Sequence, residues 1–396
     1  MLMVTDMLSV AQGVRSASEL PARSPDRFGA PAAPVIVWNV CRHCNMQCPH
    51  CYAAASLQPS AADLSTHEGL HLLDRLRALG VRVVVFSGGE PLLRGDLFQL
   101  LERAQQLGIS AQLSTNGVLI DVSTATRLAS AGVAYVGASL DGMPEWNDQY
   151  RGFAGGFERV LGALDQVRAR GMKAGLRVTV TRRNASMVPA LLSIAQQRQI
   201  ERFYVSHLVY AGRGRKLQAD DLTPGQTRAL LWQLFDAADS SVRAGERQQI
   251  VTGGNDSAGP LLLQFVGERY GLGARARVRA LLKARGGNSA GERILNIDHR
   301  GNVHPDQFWQ QHAFGNVRTH SLSQIMEHPL REALKNREAL LEGRCAGCSW
   351  KELCRGSHRE RALVATGSMW GPDPACVLRD DELATETREE HAVCGA

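Results

Sequence analysis

Three closely spaced cysteines have the pattern of an iron–sulfur site. Cys44, Cys48 and Cys51 are separated by three and two residues, in the run Cys44-Asn-Met-Gln-Cys48-Pro-His-Cys51-Tyr52. A [4Fe–4S] cluster normally takes four thiolates. Because only three are close here, one iron would be open to another ligand. Cys41 and Cys44 also form a CxxC pair, so a zinc loop is the alternative interpretation of this segment.

A second set of cysteines lies near the other end of the chain. Its spacings of 2, 5 and 21 residues suit a closed tetrathiolate site, formed by Cys345, Cys348, Cys354 and Cys376. Structural zinc is equally compatible with four thiolates. Nine cysteines in a chain with no export signal favour metal or redox chemistry over structural disulfides.

Composition describes an ordinary soluble protein of more than one domain. The 396 residues are 44% apolar and 21% charged, and a length prior gives two or three domains. We predict no membrane segment, since none approaches about 18 uninterrupted apolar residues, and a cytoplasmic location. The net charge of +6 comes without a basic stripe interleaved with aromatics, so nucleic acid is not an expected partner. Residues 1–34 are expected to form a tail.

Alternating strand and helix patterns over residues 35–209 predict a parallel α/β sheet. The predicted strands cover residues 34–38, 81–86, 109–113, 133–138, 174–180 and 202–205. The predicted helices cover residues 65–79, 97–107, 124–131, 157–170 and 187–197, and the first has a capping box from Ser65 and Glu68. Six such units form a partial (β/α)6 barrel, whose chemistry is expected at the carboxyl ends of the strands.

Polar turns follow three of these strands where a barrel site would lie. Gly88-Gly89-Glu90 comes after one strand, Ser114–Gly117 after the next, and Ser139–Gly142 after the third. The glycines permit close approach of the main chain to a ligand. Glu90 would place a carboxylate at the barrel mouth, where it could receive an ammonium group. A solvated glutamate at a helix start is the alternative.

With these motifs, residues 35–209 resemble the radical S-adenosylmethionine (SAM) core domain. The resemblance implies that the first cysteine set holds a SAM-binding [4Fe–4S] cluster and that Gly88, Gly89 and Glu90 bind the SAM amino group. It also places Ser139 and Asp141 near the ribose and Tyr52 by the adenine. The remaining candidate cofactor contacts are Asn116 at the rim and, for the SAM carboxylate, Arg151 and Arg177. Either arginine could instead belong to a surface ion pair.

The second cysteine set resembles the auxiliary-cluster (SPASM) domain of radical SAM maturases. His358 stands where that pattern has a cysteine, and the family's upstream cysteine pair is absent from residues 293–317. We therefore expect one auxiliary [4Fe–4S] cluster on the four C-terminal cysteines. His304, Asp306 and His358 are tentative substrate residues, and Cys41 and Cys394 match no ligand position. The expected domains are the tail, the core at 35–209, a mostly helical bridge at 210–292 and the auxiliary domain at 293–396.

The run Asn302-Val-His-Pro-Asp-Gln-Phe-Trp309 and the segment 370–376 resemble the NirJ group of heme d1 biosynthesis. That resemblance implies a 5′-deoxyadenosyl radical that attacks propionate side chains of 12,18-didecarboxysiroheme. It also implies a flavodoxin- or ferredoxin-type electron donor and an auxiliary cluster suited to electron transfer. A heme-pathway relative and a SPASM-type peptide maturase are the alternatives. The maturase is disfavoured because residues 1–34 are too short and polar for a leader-binding domain.

Two features of the chain suit a flat, apolar, carboxylate-bearing tetrapyrrole. Arg275, Arg279 and Lys283 are four residues apart and would share one helical face able to bind propionates. A solvated basic face is the alternative. The aromatic residues Phe308, Trp309, Phe314 and Trp370 are candidates to pack on the macrocycle or to fill the core.

Overall fold

The computed structural model describes residues 1–20 and 33–384. Within these ranges, strands form one sheet of 11 members in the order β1-β8-β7-β6-β5-β4-β3-β2-β9-β10-β11. The strands are β1 (Leu2–Met3), β2 (Val35–Asn39), β3 (Val83–Ser87), β4 (Ser110–Thr115), β5 (Val133–Ser139), β6 (Lys173–Val180), β7 (Arg202–His207), β8 (Gln249–Gly253), β9 (Ile294–Ile297), β10 (Asn302–His304) and β11 (Gly315–Asn316).

Helices connect and cover these strands. They are α1 (Val4–Ala11), α2 (Thr66–Ala78), α3 (Leu97–Gln106), α4 (Val122–Ser130), α5 (Pro144–Arg151), α6 (Gly156–Ala169), α7 (Val188–Gln197), α8 (Pro224–Arg243), α9 (Ala258–Arg285), α10 (Leu322–Met326), α11 (Pro329–Lys335), α12 (Lys351–Cys354) and α13 (Arg359–Thr366). Strands β2 to β8 pair in parallel. The predicted α/β barrel fold is therefore confirmed, with each predicted strand and helix close to its expected bounds, and β8 adds a seventh parallel strand to the six predicted.

Side-chain alternation explains how this sheet separates a core from a site. In β4, Ala111 and Leu113 are buried, whereas Gln112 and Ser114 are half-buried on the other face. Helix α2 begins with the expected capping box: the Ser65 N–H donates to Glu68 Oε2 at 2.8 Å, and the Glu68 N–H donates to Ser65 Oγ at 3.3 Å. Apolar packing thus lies on the helix side and polar groups gather inside the barrel.

The N-terminus differs from the predicted tail. β1 pairs antiparallel with β8, and α1 is buried along its whole length. Helix α1 packs against α8 and α9. The prediction of a tail failed because the apolar segment at the N-terminus is short and gives only a weak local signal. The helices that bury this segment lie more than 200 residues away in sequence. The predicted bridge likewise supplies β8 to the barrel sheet, beside two long helices.

Two residues of the predicted basic face contact side chains of the C-terminal region. Arg275 lies over the Trp350 ring at 5.8 Å, and Lys283 pairs with Glu352 at 2.8 Å. Helix α9 also packs against α12. No helix in residues 1–20 or 33–384 has the length and apolar character needed to cross a membrane.

Candidate active site at the barrel mouth

A cavity of about 200 Å³ opens at the carboxyl ends of the barrel strands. The cysteine loop forms one wall, β3 to β7 supply the floor, and Gln307 and Phe308 come from the C-terminal region. The predicted site residues that line it are Cys44, Cys48, Cys51, Tyr52, Gly88, Gly89, Asn116, Ser139, Arg151 and Arg177. Strand ends therefore position the site, as expected for parallel α/β folds.

The three N-terminal cysteines converge in this wall. Burial, followed by the Glu90 carboxylate and then the neighbouring Cys48 and Cys51 thiols, raises the pKa of Cys44 to about 12. The donor set is three thiols on one loop, which fits a cluster with one open iron. Cys41 is separate: its thiol donates to the Glu90 carbonyl oxygen at 3.3 Å, and burial raises its pKa to about 12.

The glycine pair packs against the cysteine loop itself. The Gly89 N–H donates to Cys41 O at 2.8 Å, and the Glu90 N–H donates to His43 O at 2.7 Å. A Cβ atom on Gly89 would lie 2.2 Å from His43 O. The glycines are thus required by contact between two loops, in addition to any approach to a ligand.

The sequence predicted that the Glu90 carboxylate lies at the barrel mouth, but Glu90 does not line the cavity. Its side chain is fully buried, and its carboxylate accepts hydrogen bonds from Thr115 Oγ1 (2.7 Å), the Asn116 N–H (2.7 Å) and the Leu92 N–H (3.1 Å). Burial raises the pKa of Glu90, and these bonds oppose that shift. Glu90 therefore ties the turn after β3 to the turn after β4.

Asp141 and Arg151 form an internal ion pair. Asp141 is fully buried and accepts from Arg151 Nε and Nη2 at 2.9 and 2.8 Å, and from the Thr179 N–H at 2.8 Å. Burial raises the carboxyl pKa, but Arg151 brings it below its ordinary value. Asp141 thus orients Arg151, whose guanidinium reaches the cavity. The surface-pair alternative for Arg151 is wrong.

Hydroxyl groups connect Tyr52 to Arg177 across the cavity floor. Tyr52 Oη lies 3.1 Å from Ser87 Oγ, which donates to Ser114 Oγ at 3.3 Å. Arg177 Nη2 donates to Ser114 Oγ at 2.8 Å and to Gly137 O at 2.6 Å. Arg177 Nε is buried and has no hydrogen-bond partner. A guanidinium in this position can accept an anionic ligand.

The four C-terminal cysteines also converge. Burial raises the pKa of Cys354 well above its ordinary value, with further contributions from the thiols of Cys376, Cys348 and Cys345. Among the described residues, no group of three or more His, Cys, Asp or Glu side chains is arranged to hold a single metal ion.

The three tentative substrate residues lie beside the cavity, not in its lining. His304 Nδ1 donates to His312 O at 2.8 Å, and its Nε2 lies 3.4 Å from Asp298 Oδ2. His358 Nε2 lies 3.6 Å from Asp306 Oδ2. Burial raises the pKa of Asp306 to about 7 and lowers that of His358 to about 3, so burial favours the neutral form of both groups.

Phe308 connects this pair to the cavity. Its ring lies edge-on to Tyr52 at 5.3 Å and to His358 at 5.1 Å. Trp309 and Phe314 are buried in the core, and Trp370 is half-buried. Of the four aromatic candidates, Phe308 is the one in the lining.

Sequence reasoning missed several cavity residues on or after β7. They are Tyr204, Ser206, His207 and Arg213. A strand-end position was an available signal for the first three, since β7 had been predicted. Arg213 follows the strand in a loop with no periodic pattern.

Two family models match the chain. The model "Radical SAM superfamily" matches residues 38–192, and "Iron-sulfur cluster-binding domain" (SPASM) matches residues 289–349. The pre-heme d1 synthase of Dinoroseobacter shibae is 38% identical over 357 residues, which cover 89% of this chain and 88% of that protein. The chain belongs to the radical SAM superfamily.

A second relative is equally similar, and two solved structures share the fold. The Fe-coproporphyrin III synthase of Methanosarcina barkeri is 38% identical over 375 residues, covering 93% of this chain and 94% of the relative. The fold of this radical SAM protein matches native anSMEcpe with bound AdoMet, with a TM-score of 0.67, 20% identity and coverage of 87% and 94% of the two chains. Streptococcus suis SuiB gives a TM-score of 0.68 at 19% identity, covering 88% of this chain and 77% of SuiB.

These domains identify the cofactors as SAM and [4Fe–4S] clusters. The donor chemistry fits them, since three thiols line the cavity and four more converge in the C-terminal region. The SPASM match ends at residue 349, so Cys354 and Cys376 lie beyond it. That these two complete a single auxiliary cluster remains a prediction.

Proposed function

We propose that this radical SAM enzyme modifies or removes propionate side chains of 12,18-didecarboxysiroheme in heme d1 biosynthesis. The observation that carries the proposal is the 38% identity to pre-heme d1 synthase over 89% of this chain. The cavity is compatible with such a ligand, because it combines aromatic walls with guanidinium groups. Flat apolar rings pack on aromatic side chains, and carboxylates pair with arginine.

The cysteine loop and its neighbours are the proposed SAM site. When bound there, a reduced [4Fe–4S] cluster and SAM would supply radical hydrogen-atom abstraction. The main chain at Gly88 and Gly89 would bind the SAM amino group, and Tyr52, Asn116 and Ser139 would contact its nucleoside part. Arg151, held by Asp141, would bind the SAM carboxylate.

Arg177, which also lines the cavity, is proposed to bind a carboxylate. Its Nη2 is fixed by Ser114 and Gly137, and its Nε remains unpartnered. Phe308 would cover the macrocycle and exclude water. By orienting the substrate, such groups would hold the reacting carbon atom within reach of the radical. Orientation of this kind is a large part of what a protein contributes to cofactor chemistry.

A flavodoxin- or ferredoxin-type protein is the proposed electron donor. The auxiliary cluster, fully ligated by Cys345, Cys348, Cys354 and Cys376, is proposed to transfer electrons and not to bind substrate, because no iron would be open.

A second candidate function rests on an equally similar relative. The Fe-coproporphyrin III synthase of Methanosarcina barkeri is also 38% identical and spans 93% of this chain. Both relatives are named for tetrapyrrole products, so the two candidates share a ligand class. Proteins named PqqA peptide cyclase are 28% identical, and peptide modification is the remaining alternative.

One assay separates these candidates. Anaerobically reconstituted protein is reduced, incubated with SAM and 12,18-didecarboxysiroheme, and analysed by mass spectrometry of the tetrapyrrole. Loss of propionate fragments is the expected result, whereas Fe-coproporphyrin III would favour the second candidate. An unchanged tetrapyrrole with normal SAM cleavage would contradict both. A Cys48→Ala variant is the control, since it should neither cleave SAM nor alter the tetrapyrrole.

A further inference from the structure

A short segment after β7 wraps the cysteine loop. This segment, residues 208–215, is called the strap, and it lies between the regions matched by the two family models. Gly212 in the strap has φ +53°, and a Cβ atom there would lie 2.3 Å from Tyr52 O and 2.5 Å from Cys51 O. Only glycine fits this approach without displacing the cysteine loop.

Arg213 makes the main contacts of the strap with that loop. Its N–H donates to Cys51 O at 3.0 Å, its Nε donates to Cys48 O at 2.9 Å, and its Nη1 donates to Ala55 O at 2.7 Å. Its side chain also lines the cavity. Arg213 thus holds the main chain of the cysteine loop at Cys48, at Cys51 and at Ala55, which lies beyond the third cysteine.

All of these acceptors are main-chain carbonyl oxygens. Within residues 1–20 and 33–384, no carboxylate forms an ion pair with the Arg213 guanidinium, so these contacts leave its charge without neutralisation. Because the side chain is half-buried next to the thiols, its charge acts through a medium that screens less than bulk water.

The strap is fixed at both ends to α13 of the C-terminal region. Arg361 Nη1 donates to Leu208 O at 2.7 Å, and Arg215 Nη2 pairs with Glu360 Oε1 at 3.1 Å. Arg361 is fully buried, and the Glu360 side chain is 1% exposed. These anchors restrict the strap, so Arg213 cannot swing away from the loop without breaking buried contacts.

We propose that Arg213 is a positioning residue for the SAM-binding cluster and that its charge favours the reduced cluster. Its hydrogen bonds fix the main chain that presents Cys48 and Cys51. Reduction adds one negative charge to a thiolate-bound cluster, and a fixed cation beside the thiolates stabilises that added charge. Hydrogen bonds and net charge around the ligands are known determinants of cluster potentials.

Two substitutions separate the charge from the hydrogen bonds. Arg213→Gln removes the charge, and Arg213→Lys keeps it while losing the fork of donors. The matched control is Arg77→Gln, which removes an exposed cation at the far end of α2. Each holoprotein is assayed for iron and titrated redox-potentiometrically, with the cluster identified by the EPR signal that changes on addition of SAM.

The midpoint potential of that signal should become more negative in Arg213→Gln and stay near the wild-type value in Arg213→Lys and Arg77→Gln. Both Arg213 variants should lose cluster iron faster than the control under a chelator. An unchanged potential in Arg213→Gln, or the same shift in Arg213→Lys, would overturn the electrostatic role. Iron retention equal to the control would overturn the positioning role. None of these readouts requires the tetrapyrrole, so they do not depend on the proposed substrate.

Discussion

Both carboxylate oxygens of Asp373 accept hydrogen bonds from the guanidinium of Arg361, each at 2.7 Å, in the interior of the protein. Arg361 also donates to Leu208 O and Gly254 O, which follow β7 and β8. Asp373 accepts from the His358 N–H and lies between Cys354 and Cys376. This ion pair therefore joins the auxiliary cysteine loop to the barrel mouth.

Asp373→Asn should destabilise the protein and the auxiliary cluster together. Removing one partner leaves Arg361 buried without its counter-charge, which costs about 3–5 kcal/mol. We expect a lower Tm and loss of about four irons per chain, because metal binding is coupled to folding. Asp381→Asn is the matched control, since that side chain is 73% exposed. Full iron content and an unchanged Tm in Asp373→Asn would show that the pair is dispensable.

Glu90→Gln should act first on stability. The amide would present N–H donors to a site where the Asn116 N–H and Thr115 Oγ1 already donate, and an unsatisfied buried group costs about 1–3 kcal/mol. Thermal unfolding should show this loss, and calorimetry should show a smaller effect on SAM affinity. Exposed Glu102→Gln on α3 is the control. A large loss of SAM affinity with no change in Tm would instead place Glu90 in direct contact with SAM.

The stability of the protein should depend on pH through Asp306. Its pKa is raised to about 7 by burial, whereas an unfolded aspartate titrates near about 4. Between these values the folded state holds a proton that the unfolded state has lost, so this contribution to stability falls as pH rises. Asp306→Asn should abolish that slope. The Tm of the variant relative to wild type should therefore increase from pH 5 to pH 8; a constant difference would contradict the raised pKa.

Iron content should distinguish the two cysteine sets. Wild-type protein should hold about eight irons per chain, and the triple variant Cys44→Ala, Cys48→Ala, Cys51→Ala about four, with no SAM cleavage. His358→Ala should keep the wild-type iron content, because His358 lies against Asp306 and Phe308. If His358→Ala loses about two to four irons, His358 is a cluster ligand and the all-cysteine auxiliary site is wrong.

Arg177→Gln should weaken binding of one carboxylate ligand. Loss of a charge-assisted bond costs about 1.5–3 kcal/mol, so Kd should rise at least about tenfold. Separate titrations with SAM and with 12,18-didecarboxysiroheme identify which ligand is affected, and exposed Arg77→Gln serves again as the control. If the affinity for both ligands is unchanged, Arg177 has only a structural role, through its hydrogen bonds to Ser114 and Gly137.

Local sequence patterns were sufficient for the barrel. Alternation of buried and exposed residues specified β4, and Ser65 with Glu68 specified the start of α2, because both depend on neighbours within a few residues. The cysteine spacings likewise indicated two thiol sets, although 21 residues separate Cys376 from Cys354 in the second one. The family models agree that the chain has a radical SAM core and an iron–sulfur cluster-binding domain.

Long-range contacts decided what local patterns could not. The sequence placed Glu90 at a ligand and left Met1–Ala11 in a tail, but the partners that bury them lie on other elements. The strap has no periodicity, and Arg213 takes its role only when residues 48–55 are folded beside it. Residue types and spacing thus determined which chemistry the chain can support. The tertiary structure decided which charged side chains face the cavity and which form ion pairs or hydrogen bonds in the protein interior. Burial and pairing depend on residues that are distant in sequence.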